Sequence, residues 1–127
     1  MSLTIYTDGS CKPNPGKGGW GYIAIFPDCE LHINGGCKYT TNNRMEMTAV
    51  IEAITEFYFI KNFDIYTDSQ YVINCSKHKS KRKKNVDLWK KYDTCSLGKN
   101  ITFHWVKGHA GNNYNELVDK LAKDGTE

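Results

Sequence analysis

The chain has 127 residues, 39% hydrophobic and 24% charged, with a formal net charge of +3. That length fits one domain over residues 1–127, and the composition excludes a disordered chain and a membrane span, since no segment reaches the ~20 apolar residues such a helix needs. The start Met1-Ser2-Leu3-Thr4 lacks the basic and apolar run of a secretory signal, so a cytoplasmic setting is expected, with a nuclear one as the intracellular alternative.

Leu3 to Thr7 is rich in β-formers and predicts a strand. Gly9 to Gly19 carries several glycines together with Pro13, Asn14 and Pro15, and predicts a loop. Trp20 to Phe26 and Leu31 to Tyr39 predict a hairpin turning at Pro27-Asp28. Met47, Val50, Ile51, Ile54 and Tyr58 recur at helical spacing and predict a helix from Arg44 to Phe59. Asp64 to Thr67 predicts a fourth strand, and Gln70 to Cys75 starts a short helix. Lys77 to Lys84 reads KHKSKRKK, with six Lys or Arg in eight residues. Asn85 is placed to cap a helix carrying Val86, Trp89 and Tyr92. Ile101 to Val106 predicts a fifth strand, Lys107 to Asn113 a loop, and Tyr114 to Lys123 a last helix with Tyr114, Leu117, Val118 and Leu121 on one stripe. The order β-β-β-α-β-α-α-β-α implies an α/β fold: a five-stranded mixed sheet with helices on both faces.

Five cysteines occur, an odd number, and no two are spaced C-x-x-C. Neither a disulfide framework nor a zinc site is suggested, and reduced thiols are expected.

A short echo carries the chemistry. Ile5-Tyr6-Thr7-Asp8 recurs as Ile65-Tyr66-Thr67-Asp68. If those strands are parallel neighbours, both aspartates end them on the side where α/β sheets bind ligands. Glu46 stands in line with Val50, Ala53 and Phe57 and so faces the sheet. Asp119 flanks the apolar stripe of the last helix. Each acid alone has a plain structural reading. Asp8-Gly9 suits a turn, Asp68-Ser69 a helix cap, Asn43-x-x-Glu46 a capping box, and Asp119 an exposed helix face. Together they suggest four carboxylates from four elements. At an effective dielectric near 20, two charges ~4 Å apart repel by about 4 kcal/mol. Divalent cations relieve that, and an all-oxygen set selects Mg²⁺ or Mn²⁺ over zinc.

Several stretches resemble type 1 ribonucleases H, in order along nearly the whole chain. They are Thr7-Asp8-Gly9-Ser10-Cys11 with Asn14-Pro15-Gly16, Thr41-Asn42-Asn43-Arg44-Met45-Glu46, and Thr67-Asp68-Ser69-Gln70-Tyr71-Val72. Asn85-Val86-Asp87-Leu88-Trp89, Trp105-Val106-Lys107-Gly108-His109-Ala110-Gly111, and Asn115-Glu116 with Asp119 complete the series. The resemblance implies a ribonuclease H-like fold and an endonuclease that hydrolyses the RNA strand of RNA–DNA hybrids, leaving 5′-phosphate and 3′-hydroxyl ends. It implies two Mg²⁺ ions, with Mn²⁺ substituting, held by Asp8, Glu46, Asp68 and Asp119, with Asp8 bridging them. Such a pair acts on both oxygens of an in-line displacement. His109 would serve in proton transfer or product release, which its unperturbed pKa near 6.5 suits. Cys11, Asn14, Asn42, Asn43 and Gln70 would touch the hybrid, reading 2′-hydroxyls across a wide minor groove. Thr41 and Asn85 would hold a phosphate of the DNA strand.

One departure is visible. Family members with a basic handle carry a longer helical insertion, with tryptophans, between the positions of Val72 and Asn85. Here twelve residues intervene, with no tryptophan, and the KHKSKRKK run is expected to replace the handle electrostatically. A monomer is expected, with a separate affinity-supplying protein partner left open. The alternatives are a related nuclease acting on DNA and a non-catalytic hybrid-binding module.

Overall fold

The structure, a computed structural model, describes residues 2–108 and 113–126. Five strands form one sheet: β1 Ser2–Cys11, β2 Gly16–Ile25, β3 Glu30–Thr40, β4 Asn62–Thr67 and β5 Asn100–Trp105. Their spatial order is β3-β2-β1-β4-β5. The first three pair antiparallel, while β4 runs parallel to both β1 and β5. The helices are α1 Asn42–Glu56, α2 Gln70–Lys77, α3 Val86–Ser96 and α4 Asn113–Asp124, with a 3-10 turn at Lys79–Lys81 between α2 and α3. The mixed five-stranded sheet and the element order are those expected.

Strand alternation sorts the two faces. Leu3 and Ile5 of β1 join Met47, Val50 and Ile54 of α1 in the main core, which continues through Phe63, Ile65, Val72 and Trp89. The opposite face takes α4: Tyr114 stacks on Tyr6 with ring centroids 5.2 Å apart, and Gly21 faces Leu121 and Ala122. Among the described residues, no helix is long and apolar enough to cross a membrane. The five cysteines are all free thiols, with Cys11 and Cys75 buried.

The stretch Gly9 to Gly19 corrects the expectation. Only 12–15 connect strands; Gly9–Cys11 lengthen β1 and Gly16–Gly19 begin β2. Here glycine answers close packing rather than a turn. A Cβ on Gly9 would run into the backbone of Met45 and Glu46, and one on Gly19 into the backbone of Ala122, Gly125 and Thr126.

The ends of α1 also differ from expectation. The helix begins two residues earlier, because Thr41 rather than Asn43 caps it: Thr41 Oγ1 accepts the Arg44 N–H at 3.3 Å. It stops at Phe57. Beyond it, Lys99 Nζ donates to the Tyr58 and Ile60 carbonyls at 2.6 Å each, pinning the turn that leads to β4.

Candidate active site

Parallel pairing of Tyr6 with Tyr66 sets β1 and β4 in matched register. Asp8 and Asp68 each follow two residues later, so both project at the same edge of the sheet. Gly9 then lets α1 approach the strand without a side chain between them, which brings Glu46 to Asp8 from the opposite face. Beyond β5 the chain passes over Asp68, and a Cβ on Gly108 would lie 3.0 Å from its Oδ2.

Among the described residues, Asp8, Glu46 and Asp68 each offer a carboxylate oxygen within 4.8 Å of the other two. Asp8 and Glu46 are buried and Asp68 is half-buried. The electrostatics follow from that crowding. Burial first, then the charges of Asp68 and Asp119, push the Asp8 carboxyl up to about 8. Burial and the Asp8 and Asp68 charges hold Glu46 well above the ordinary carboxylate range. Asp68 is raised by burial and by Asp119.

Asp119 borders the trio from α4 but is not a member of the 4.8 Å set. Its Oδ2 meets Lys123 Nζ at 3.0 Å, one helical turn along, and the Lys123 ammonium also feels Asp8. The structure thus brings three of the four acids together and sets the fourth beside them with a counter-charge. The Asp119–Lys123 spacing of four residues was the available signal for that pair.

The residues fit a hard divalent cation. Glu46 Oε1 is buried with no hydrogen-bond partner, an orphaned acceptor that a metal ion would satisfy. The donor set is entirely oxygen, which suits Mg²⁺ or Mn²⁺.

The residues expected to touch the hybrid take different positions. Asn14 Oδ1 accepts the Asn42 N–H at 3.1 Å, joining the β1–β2 connection to the start of α1 beside Thr41. Asn43 and Gln70 are exposed. Cys11 is buried, 4% exposed, and its thiol faces the carbonyls of Pro13, Gly16 and Thr40 at 3.3–3.5 Å. Asn85 stands at the N-cap of α3 but makes no side-chain cap, because its backbone is left-handed with φ 59°. Its amide turns outward instead, to Arg44 and Tyr71. His109 lies outside the described residues.

The basic run divides. Arg82 turns inward, its side chain 8% exposed. It donates to Cys75 O at 2.7 Å, to Ser76 O at 3.2 Å and to both Asp93 oxygens at 2.9 and 2.8 Å, and lies 4.6 Å from the Trp89 ring centre. Lys77, Lys79, Lys81, Lys83 and Lys84 stay exposed. Composition could not separate Arg82 from its neighbours.

Comparison with known proteins agrees with the geometry. A family profile described as RNase H matches residues 1–127. A ribonuclease H of Bradyrhizobium diazoefficiens is 46% identical over 136 aligned positions, covering 97% of this chain and 88% of the relative. The crystal structure of a type 1 RNase H with the type 2 active-site motif superposes with a TM-score of 0.81 at 27% identity, covering 98% of this chain and 72% of the other. A further RNase H, crystallised in complex with an RNA/DNA hybrid, shares the fold at 20% identity and a TM-score of 0.78, with 98% and 99% covered.

Proposed function

The chain belongs to the ribonuclease H family, and on that premise we propose that it hydrolyses the RNA strand of an RNA–DNA hybrid at Asp8, Glu46, Asp68 and Asp119. The observation that carries this reading is the convergence of Asp8, Glu46 and Asp68 within 4.8 Å around an oxygen with no partner.

Asp8, Glu46 and Asp68 would hold two divalent ions, with Asp119 completing the set from α4. When bound, these ions supply a nucleophilic water and stabilise the leaving oxygen. Asp8 lies between Glu46 and Asp119 and is the acid best placed to serve both ions. Carboxylates held above their ordinary pKa release protons as cations bind, so occupancy rises with pH. His109 is the proposed proton carrier. Mg²⁺ is the proposed ion, and the products would carry 5′-phosphate and 3′-hydroxyl ends.

Asn14, Thr41 and Asn42 meet at the start of α1, and Gln70 opens α2 two residues after Asp68. Such donors suit ribose hydroxyls across a wide minor groove better than a DNA duplex, which favours hybrid over DNA as substrate. Asn43 extends the row outward. For Cys11, burial of the thiol leaves the backbone as the contacting group. The enzyme is read as cytoplasmic, which accords with its bacterial relative, and as a monomer.

Cleavage of an end-labelled hybrid, compared with duplex DNA of the same sequence, tests the proposal. Cutting confined to the RNA strand, lost in a chelator and restored by Mg²⁺ or Mn²⁺, is expected. Cutting of the DNA duplex would favour the DNA-nuclease alternative, and hybrid binding without cleavage a non-catalytic module.

A further inference from the structure

We propose that Arg44 and Tyr71 are positioning residues that lock the Asn85 amide so that one of its N–H groups faces a phosphate of the DNA strand. This rests on the reading of Asn85 as a contact to that strand.

The chain of hydrogen bonds fixes the orientation of the amide. Arg44 Nη1 reaches Asn85 Oδ1 at 3.3 Å. A guanidinium only donates, so the Asn85 oxygen must face it. Asn85 Nδ2 then donates to the Tyr71 hydroxyl oxygen at 2.9 Å, and Trp89 Nε1 donates to the same oxygen at 3.3 Å. Both lone pairs of Tyr71 are engaged, so that oxygen holds the Asn85 nitrogen in place.

An amide nitrogen carries two N–H groups. Tyr71 takes one, and no hydrogen bond recorded among the described residues takes the other. The left-handed backbone at Asn85 matters here. It swings the side chain away from the α3 cap, where a backbone N–H would otherwise take the oxygen that now faces Arg44.

Arg44 is itself held. Asp87 accepts two of its bonds, at 3.0 and 2.7 Å, and its backbone N–H goes to Thr41 Oγ1 at 3.3 Å. One arginine therefore ties Thr41, at the start of α1, to Asn85, at the start of α3. A hydroxyl that accepts through oxygen still has a proton to give. Thr41 and Asn85 so become two donors in a fixed relation, which an anionic oxygen can use without ordering either side chain on binding.

Without Arg44 the amide can rotate by half a turn and point its oxygen where the N–H was. Without the Tyr71 hydroxyl it loses the partner on its nitrogen side. Either change weakens ground-state capture of the DNA strand and leaves the carboxylates untouched.

Steady-state hydrolysis of a hybrid, resolved into KM and kcat, tests this with three variants and an Asn85→Ala background. Asn85→Asp keeps a partner for Arg44 but sets a carboxylate against the phosphate. Its KM should rise by roughly tenfold or more with kcat within about twofold; an unchanged KM removes Asn85 from the interface and sinks the underlying reading. Tyr71→Phe and Arg44→Met should each raise KM by roughly three- to tenfold at constant kcat, and Tyr71→Phe should add nothing in an Asn85→Ala background. If Asn85→Asp loses affinity while Tyr71→Phe keeps a normal KM, Asn85 acts alone and the positioning role is wrong. A lower melting temperature with an unchanged KM would likewise reduce the network to a structural brace. Should Arg44→Met not fold, Tyr71→Phe decides the matter.

Discussion

Asp8, inside β1, and Asp68, just past the end of the parallel neighbour β4, each stand two residues beyond a tyrosine of the facing pair Tyr6–Tyr66. Those tyrosines stack with centroids 4.7 Å apart, so the aspartates inherit a spacing that the sheet enforces. Their charges cannot retreat from one another without breaking the strand register. Asp8→Asn should therefore abolish hybrid cleavage, by on the order of 10³ or more. The same change should stabilise the metal-free protein by on the order of 1–3 kcal/mol at neutral pH, because the buried Asp8 carboxyl must take up a proton on folding and Asn need not. Turnover and chelator-treated melting of one preparation check both; normal turnover would take Asp8 out of the reaction.

The metal-free protein should lose stability as pH rises. The folded-state pKa of Asp8 lies at about 8 against an ordinary 3.8, and Glu46 shifts the same way. Between those values the folded protein holds a proton that the unfolded chain has released. The contribution is whole below pH ~4 and disappears as pH climbs through ~8. Melting in a chelator should thus fall from pH ~5 to pH ~8, and saturating Mg²⁺ should close the gap. A metal-free melting temperature that rose over that range would contradict the clustering.

On the proposed metal set, Lys123 should compete with a cation for Asp119. Replacing it with Gln removes a positive charge 3.0 Å from Asp119 Oδ2, so half-maximal activity should need roughly threefold less Mg²⁺. A Mg²⁺ titration of the hydrolysis rate reads this directly. An unchanged midpoint would mean that the ion pair breaks at no cost when metal binds.

The lysines and the arginine of the basic run should separate in a salt titration. Lys83→Gln and Lys84→Gln, next to Asn85, should each flatten the dependence of log affinity on log salt by about 0.9 if each meets one phosphate. Arg82→Gln should lower stability by about 2–4 kcal/mol, since it breaks four charge-assisted bonds and a ring contact. Equal slopes for wild type and the Lys83 and Lys84 variants would exclude those two from the hybrid interface.

The element order and the matched aspartates were legible because alternation and the repeated Ile-Tyr-Thr-Asp both report on one local geometry, although Asp8 lies inside β1 rather than at its end. Glu46 was legible because helical spacing says which way a side chain faces. The glycines of Gly9 to Gly19 misled, since glycine marks either a turn or a close approach, and only the partner elements decide which. Asn85 was read as a cap because its residue type and position suit one; its left-handed backbone instead sends the amide to Arg44 and Tyr71, which lie on other helices. The inward turn of Arg82 depends on Asp93 and Trp89, which lie on another helix.

The glycine-lined seat of α4 has a wider consequence. Gly19 and Gly36 meet the backbone at the end of that helix and of the Gly125 turn after it too closely for a side chain, so the tilt of the rod is set in part by residues that carry no charge. A single methyl at Gly19 would act as a wedge under the C-terminal end and swing Asp119 about the Tyr114 pivot. Competence for chemistry is thus partly stored in residues that have none of their own.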